Sequence, residues 1–345
     1  MKNRFQSEKA RVALALAFAF LLTISIREVR GVGGSAPDFS CVSRLSEEVS
    51  IEIKAGEAGS SIASSLFANG VVKSSQSFFK VAVSDPRSAQ IAPGTHRLQK
   101  GLCAESALNQ LLDSKRIVGL VNIVEGAWIS EILPQMAKAG FESSDLSSAL
   151  RTVAKPSGFS TLEGLLFPAQ YSFERGSPAQ SALTSMISNA ERAMDKAGFF
   201  DSKSKFSPQQ LLIIASLLQA EGNSEDFAKI SQVVRNRLKI GMPLQFDSTV
   251  HYVKKSRGSV FLSTKSTLIS SPYNTYRRYG LPPGPINNPG LAAMRAATNP
   301  ETGDWLYFIT VAPFDTRFTA DVQQFNEWKI EYKKNLRAGK FRSSK

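Results

Sequence analysis

The sequence predicts an α+β protein, on three observations. Val49, Ile51 and Ile53 alternate with Ser50, Glu52 and Lys54, the period-two pattern of a half-buried strand. Ser207 to Leu238, SPQQLLIIASLLQAEGNSEDFAKISQVVRNRL, is helical in pattern, and its residues Leu211 to Leu218 are apolar nearly all round. That marks a helix inside a core rather than on a surface. Gly280 to Gly290 holds three glycines and four prolines in eleven residues, which excludes helix and central strand and suits a stiff loop. Strand and helix patterns interleave without an internal repeat. The 345 residues, 42% of them hydrophobic, are enough for about two domains.

Taken in order, the chain opens with Lys2, Arg4, Lys9 and Arg11, followed by an uncharged run from Val12 to Ile26 and then Arg27, Glu28 and Arg30. The run is a signal-peptide core or a short membrane anchor. No good small-residue cleavage site follows it, and Cys41 lies too far away for a lipoprotein site. An uncleaved anchor over 12–26 is favoured, with residues 1–11 in the cytoplasm and the body outside. Residues 27–47, with Gly31, Gly33, Gly34, Ser35 and Pro37, read as a linker. In an exported protein Cys41 and Cys103 could pair; spacing alone leaves this open.

A small unit spans 48–118. Its strand from Val49 is followed by a helix from Ser60 to Gly70, a helix from Gln76 to Val83 capped by Ser74 or Ser75, and a strand from Thr95 to Gln99. A last amphipathic helix carries Leu102, Ala107, Leu108, Leu111 and Leu112. The β-α-α-β order resembles a LysM-like carbohydrate-binding module. A larger unit spans 119–336, ahead of a basic tail at 337–345. It reads as a strand from Val121 to Val124, a helix from Ser130 to Ala139, and a long helix from Pro178 to Ala197. The apolar helix at Ser207 follows. Beyond Leu238 come a turn and an ordered loop through Val250, the Gly/Pro loop, a short helix from Leu291 to Thr298, a buried strand from Trp305 to Ile309, and a last helix from Ala320 to Asn335.

The net charge of +13 favours an anionic setting such as nucleic acid, phospholipid headgroups or anionic wall polymer. The basic residues are dispersed, apart from a run at Lys333, Lys334, Arg337, Lys340, Arg342 and Lys345. No basic helix with interleaved aromatics occurs, which argues against nucleic acid. Two histidines, His96 and His251, and two cysteines argue against a zinc or iron site and against serine–histidine or cysteine–histidine catalysis. No phosphate-cradling GxxxxGK[ST] is present. The S-x-x-K pairs Ser77–Lys80 and Ser202–Lys205 lack the partner motifs of acyl-enzymes. Chemistry therefore rests on carboxylates, hydroxyls and amides, without metal or cofactor.

One carboxylate is placed for it. Ser207, Pro208 and Gln210 form a capping box with proline at the first helical position, and Gly222-Asn223 stop the helix. Glu221 shares a face with Ile214, Leu217 and Leu218 by its spacing. Desolvation there raises its pKa, as a general acid near neutral pH requires. A solvent-facing glutamate at a helix end is the plainer alternative.

Later motifs weigh against that alternative. Leu162-Glu163-Gly164 with Phe167-Pro168 and Tyr171, Ala215-Ser216 through Glu221, Asn236-Arg237-Leu238, and Gly241-Met242-Pro243-Leu244-Gln245 with Asp247 and Thr249-Val250 come in this order. Tyr273-Asn274-Thr275-Tyr276, the Gly/Pro loop, Asn299-Pro300 and Leu306-Tyr307-Phe308 complete the set. Over roughly Val49 to Tyr332 the sequence resembles the YceG-like family of endolytic murein transglycosylases. The resemblance implies a membrane anchor, a LysM-like first subdomain, peptidoglycan glycan strands as substrate, and an association with the peptidoglycan synthesis machinery. It implies Glu221 as the catalytic residue. The family's helix usually ends Glu-Lys-Glu-Thr; here Gln219-Ala220-Glu221-Gly222 keeps the second carboxylate and replaces the first by an amide. Pro168-Ala169-Gln170, Thr316-Arg317-Phe318 and Phe325-Asn326 also depart from the pattern. Lytic transglycosylation needs one carboxyl, whereas glycoside hydrolysis generally needs two. Candidate substrate contacts are Glu163, Asn236, Gln245, Asp247, Tyr273, Asn274 and Tyr276. Some have a structural alternative: a turn-stabilising Glu163, an Asn236 that caps its helix, and, for Tyr273, Asn274 and Tyr276, a structural turn after Pro272.

Overall fold

The computed structural model describes residues 36–41, 47–54, 56–174, 176–202, 204–257 and 263–341. The expected anchor at 12–26 lies outside the described residues. Among those described, no helix is long and apolar enough to cross a membrane. The chain divides after Ile117 into two compact units.

The first unit pairs β1 (Glu48–Ile53) with β2 (Gly94–Gln99) antiparallel, from Glu48 opposite Gln99 to Ile53 opposite Gly94. Two helices lie between them in sequence, α1 (Gly59–Ala68) and α2 (Ser75–Ser84). Ser74 caps α2 by accepting from Ser77 N. A further helix, α3 (Ala104–Leu112), follows β2. The alternation read from the sequence puts Ile51 and Ile53 into a core with Leu66, Phe78, Leu98 and Leu108. Cys41 and Cys103 form a disulfide that ties the segment ahead of β1 to the start of α3. The Asp38 carboxylate accepts from Ala104 N beside it.

The second unit is helical, with two small sheets. Its elements begin with β3 (Leu120–Asn122), α4 (Ile129–Lys138), α5 (Ser143–Thr152), β4 (Gln170–Ser172) and α6 (Ala179–Lys196). They continue with α7 (Pro208–Glu221), α8 (Phe227–Lys239), α9 (Asp247–Lys254), the single turn α10 (Thr264–Thr267) and α11 (Leu291–Thr298). The hairpin β5 (Tyr307–Ala312) and β6 (Asp315–Thr319) and the helix α12 (Val322–Arg337) complete it. β3 pairs with β4 and β5 with β6, both antiparallel.

Helix α7 is the axis of this unit. Every residue from Leu211 to Leu218 is buried, and α8, α9 and α11 pack around it. Its one polar residue in that run, Ser216, is satisfied: its hydroxyl donates to Ile213 O and accepts from Ile286 N. The rigid Gly/Pro loop is thereby stitched to the central helix.

Six sequence expectations need correction. Asp247 to Val250 open a helix instead of lying in a loop. The strand expected at Trp305–Ile309 starts at Tyr307 and is mostly half-buried rather than buried, because it lies at the margin of the core, where Phe308 and Phe318 pack only partly against it. Four elements, β4, α5, α10 and β6, have no counterpart in the sequence reading. α5 has no side-chain cap to announce it, and β6 owes its existence to pairing with β5.

Candidate active site

The capping box forms as the sequence dictates. Gln210 N donates to Ser207 Oγ at 3.3 Å, and Ser207 N donates to the Gln210 side chain at 2.9 Å. From this fixed start, α7 runs through the core and ends on Glu221. The chain then turns extended at Gly222, whose φ of −149° any residue could adopt. A Cβ there would lie 2.3 Å from Ile230 Cδ1, so any larger residue would displace the end of that side chain. The helix stop is an extended residue, not a left-handed turn. It leaves Glu221 on the wall of a pocket of ≈ 380 Å³.

Glu221 is partly accessible from that pocket, yet protein packs closely around its carboxyl. Desolvation is the largest influence and raises its pKa to about 7. The Asp247 carboxylate raises it further. Ser248 opposes this, its backbone N–H donating to Glu221 Oε1 at 3.3 Å, and the Arg237 guanidinium lowers it as well. The Ser248 hydroxyl lies near enough to contribute, but it makes no hydrogen bond with good geometry among the described residues.

Helix α9 supplies the facing wall. Asp247, Ser248 and His251 fall at i, i+1 and i+4 and all line the pocket. Tyr276 donates its hydroxyl to Asp247 Oδ1 in a short contact, and burial with this acidic partner raises the tyrosine's pKa. Asn287, from the Gly/Pro loop, closes another side. Arg257 lies 4.0 Å over the Trp128 ring and pairs with Glu131. That ring face is therefore covered and is no open platform for a sugar. Gln219 also borders the pocket, but its side-chain oxygen accepts from Gly290 N at 2.9 Å.

Of the residues singled out from sequence, Glu221 and Asp247 meet in the pocket, and Tyr276 reaches it through Asp247. The rest do not line it. Glu163 is buried and fully engaged: it accepts from Ile129 N, from Asn288 Nδ2 and from the Tyr252 hydroxyl. Desolvation raises its pKa to about 7 as well. Its work is to join the start of α4, the Gly/Pro loop and α9. Asn236 donates to the carbonyls of Gly303 and Trp305, which ties α8 to the approach of β5. Gln245 sits at φ 51° with an exposed side chain, its N–H donating to Thr275 O. Asn274 is buried and donates to Thr267 O and Ile269 O while accepting from Tyr276 N, so it is the turn-builder of its motif. Tyr273 packs against Tyr252. Sequence reasoning missed Ser248, His251 and Asn287, and also Glu125, which borders the same pocket. Reading a helix from Asp247 would have found the first two by their spacing with Asp247.

With this geometry in hand, the chain can be compared with known proteins. The YceG-like family pattern matches residues 51–331. The endolytic murein transglycosylase of Bacillus subtilis (strain 168) is 31% identical over 306 residues, 82% of this chain and 84% of that protein. A protein of the same description from Streptococcus pneumoniae serotype 2 (strain D39) is 38% identical over 157 residues, covering 43% of this chain and 28% of its own. The crystal structure of a yceG-like protein from Listeria monocytogenes superposes with a TM-score of 0.54 at 26% identity, over 81% of this chain and 98% of that one.

Proposed function

The chain belongs to the YceG-like family, and we propose that Glu221 is the single acid and base of its reaction. The protein is an endolytic murein transglycosylase. It breaks the β-1,4 bond after N-acetylmuramic acid within a glycan strand, without water. The protonated Glu221 carboxyl gives its proton to the glycosidic oxygen as the bond from C1 to that oxygen breaks. The C6 hydroxyl oxygen of the same muramyl ring attacks C1 and closes a 1,6-anhydro ring. Its proton passes to the Glu221 carboxylate, which restores the acid. One carboxyl does both transfers.

The observation that carries this reading is a carboxyl at the end of a buried helix, on a pocket wall, with its pKa raised to about 7 by desolvation. Such a group is protonated often enough to donate at neutral pH, and its conjugate base is strong enough to recover a proton. The Ser248 N–H steadies the anionic form between the two steps. Digestion of purified peptidoglycan with analysis of product ends by mass spectrometry tests it. Anhydro ends that disappear in Glu221→Gln are expected. Reducing ends would mean a muramidase, and no shortened product would mean a glycan-binding wall protein.

The finer organisation follows from sequence pattern. The basic residues ahead of Val12–Ile26 support a single-pass anchor with a cytoplasmic N-terminus and an extracytoplasmic body. The Cys41–Cys103 disulfide suits an oxidising compartment. The β-α-α-β order supports a LysM-like glycan-binding role for the first unit. An enzyme so tethered would cut nascent strands close to the membrane, beside the machinery that makes them. Protease accessibility in spheroplasts and the size of the mature protein test the topology.

A further inference from the structure

The pocket holds more unused hydrogen-bonding capacity than any other part of the described chain. Six buried side-chain atoms find no partner among the described residues, and three of them, Ser248 Oγ, His251 Nδ1 and Asn287 Oδ1, belong to residues lining this one pocket with Glu221. A buried polar atom left unmet is costly, and three around one pocket, two from α9 and one from the Gly/Pro loop, is a pattern that a polar ligand explains. Asn287 is the most constrained. It is 2% exposed, and its Nδ2 donates to Ser216 O at 2.8 Å, on the central helix. That bond fixes which way the amide faces, so Oδ1 is left as a pure acceptor. The loop around it is rigid: Ile286 N is held by Ser216 Oγ, while Asn288 N and Nδ2 both donate to Ala127 O.

We propose that Asn287 recognises the 2-acetamido group of the sugar ring bound beside Glu221: Asn287 Oδ1 accepts the acetamido N–H, and the Ser248 hydroxyl donates to the acetamido carbonyl. His251 Nδ1 meets a neighbouring ring hydroxyl. The pocket thereby selects N-acetylated over de-N-acetylated glycan. This inference takes its substrate class from the transglycosylase reading, but its own content is selectivity.

The test measures binding to the Glu221→Gln protein by calorimetry, with tetra-N-acetylchitotetraose and with the glucosamine tetramer as probes. The parent should prefer the acetylated probe by about tenfold or more, since a site built to meet a polar group strongly rejects a ligand lacking it. Adding Asn287→Ala should bring the ratio close to one, and adding Ser248→Ala should lower it severalfold. Asn287→Asp keeps an acceptor oxygen but loses the donor to Ser216; measured at about pH 9, where the glucosamine amines are neutral and do not pair with the new carboxylate, it should retain the preference at reduced affinity. A merely structural Asn287 would instead make Asp as damaging as Ala. Should Asn287→Ala fail to fold, the Asp and Ser248→Ala variants carry the test. A parent without preference, or an Asn287→Ala protein that keeps it, overturns the proposal. Selectivity without anhydro products in the active enzyme would sink the transglycosylase reading and leave this one standing.

Discussion

Replacing Glu221 by glutamine should make the protein more stable above neutral pH while abolishing its activity. Burial penalises the ionised carboxyl, so the folded state holds its proton to about 7 while the unfolded chain releases it near 4.5. The folded state therefore binds more protons between those values. The contribution of Glu221 to stability is most favourable below pH 4.5, falls through the window and levels off above 7. At about 1.36 kcal/mol per pKa unit, the full penalty is about 3 kcal/mol. The side chain is partly open to the pocket, and solvent screening trims this to about 2 kcal/mol. Glutamine has the shape of the protonated acid and no charge to penalise. Urea unfolding of both proteins at pH 4 and pH 8 measures the difference. The variant should match the wild type at pH 4 and exceed it by about 2 kcal/mol at pH 8. A gain of equal size at both pH values, or a less stable variant at pH 8, would refute the account of a desolvated acid.

Three other substitutions separate the roles assigned above. Gly164 has φ +91°, and a Cβ there would lie 2.8 Å from Pro285 Cγ and 3.1 Å from Leu212 Cδ2; Gly164→Ala should cost about 3 kcal/mol by prying the Gly/Pro loop from α7, read as a fall in melting temperature. Glu163→Gln should keep anhydro products and lose less than about tenfold in kcat, against at least about 100-fold for Glu221→Gln, because only Glu221 moves a proton in the reaction. Cys41→Ser removes a cross-link spanning 62 residues; loop entropy assigns it about 4 kcal/mol, and amide exchange should show the loss in β1, β2 and α3 with the second unit unchanged.

Local pattern was enough wherever local physics decides. The capping box, the buried face of α7, the alternation of β1 and the limits of α11 all follow from nearby residues. Pattern failed where a distant partner decides. Asn236 donates to the carbonyls of Gly303 and Trp305, 67 and 69 residues away, which only the fold brings near. Glu163 was legible as an unusual carboxylate, but its three donors come from three separate segments. The polar wall of Ser248, His251 and Asn287 was hidden for the same reason: two stand on a helix read as a loop, and the third is oriented by a carbonyl 71 residues away.

The amide at Gln219 also takes on a different meaning. From sequence, its presence left Glu221 as the one acid of the helix end. In the folded protein a second carboxylate does stand near, Asp247, contributed by α9. Its charge adds to the desolvation that holds the proton on Glu221, while the Tyr276 hydroxyl occupies one of its oxygens. Gln219 meanwhile binds Gly290 N, which a glutamate could also do. A glutamate there, however, would bring another negative charge to the same helix end. It would raise Glu221 further and make its carboxylate harder to form after the first proton transfer. With glutamine the loop is still anchored, and one acidic neighbour instead of two adds to the burial that raises the acid, against the lowering by Ser248 and Arg237. Gln219→Glu should therefore shift the falling limb of the activity profile to higher pH while leaving anhydro ends as the product; an unmoved limb would show that charge at this position does not reach Glu221.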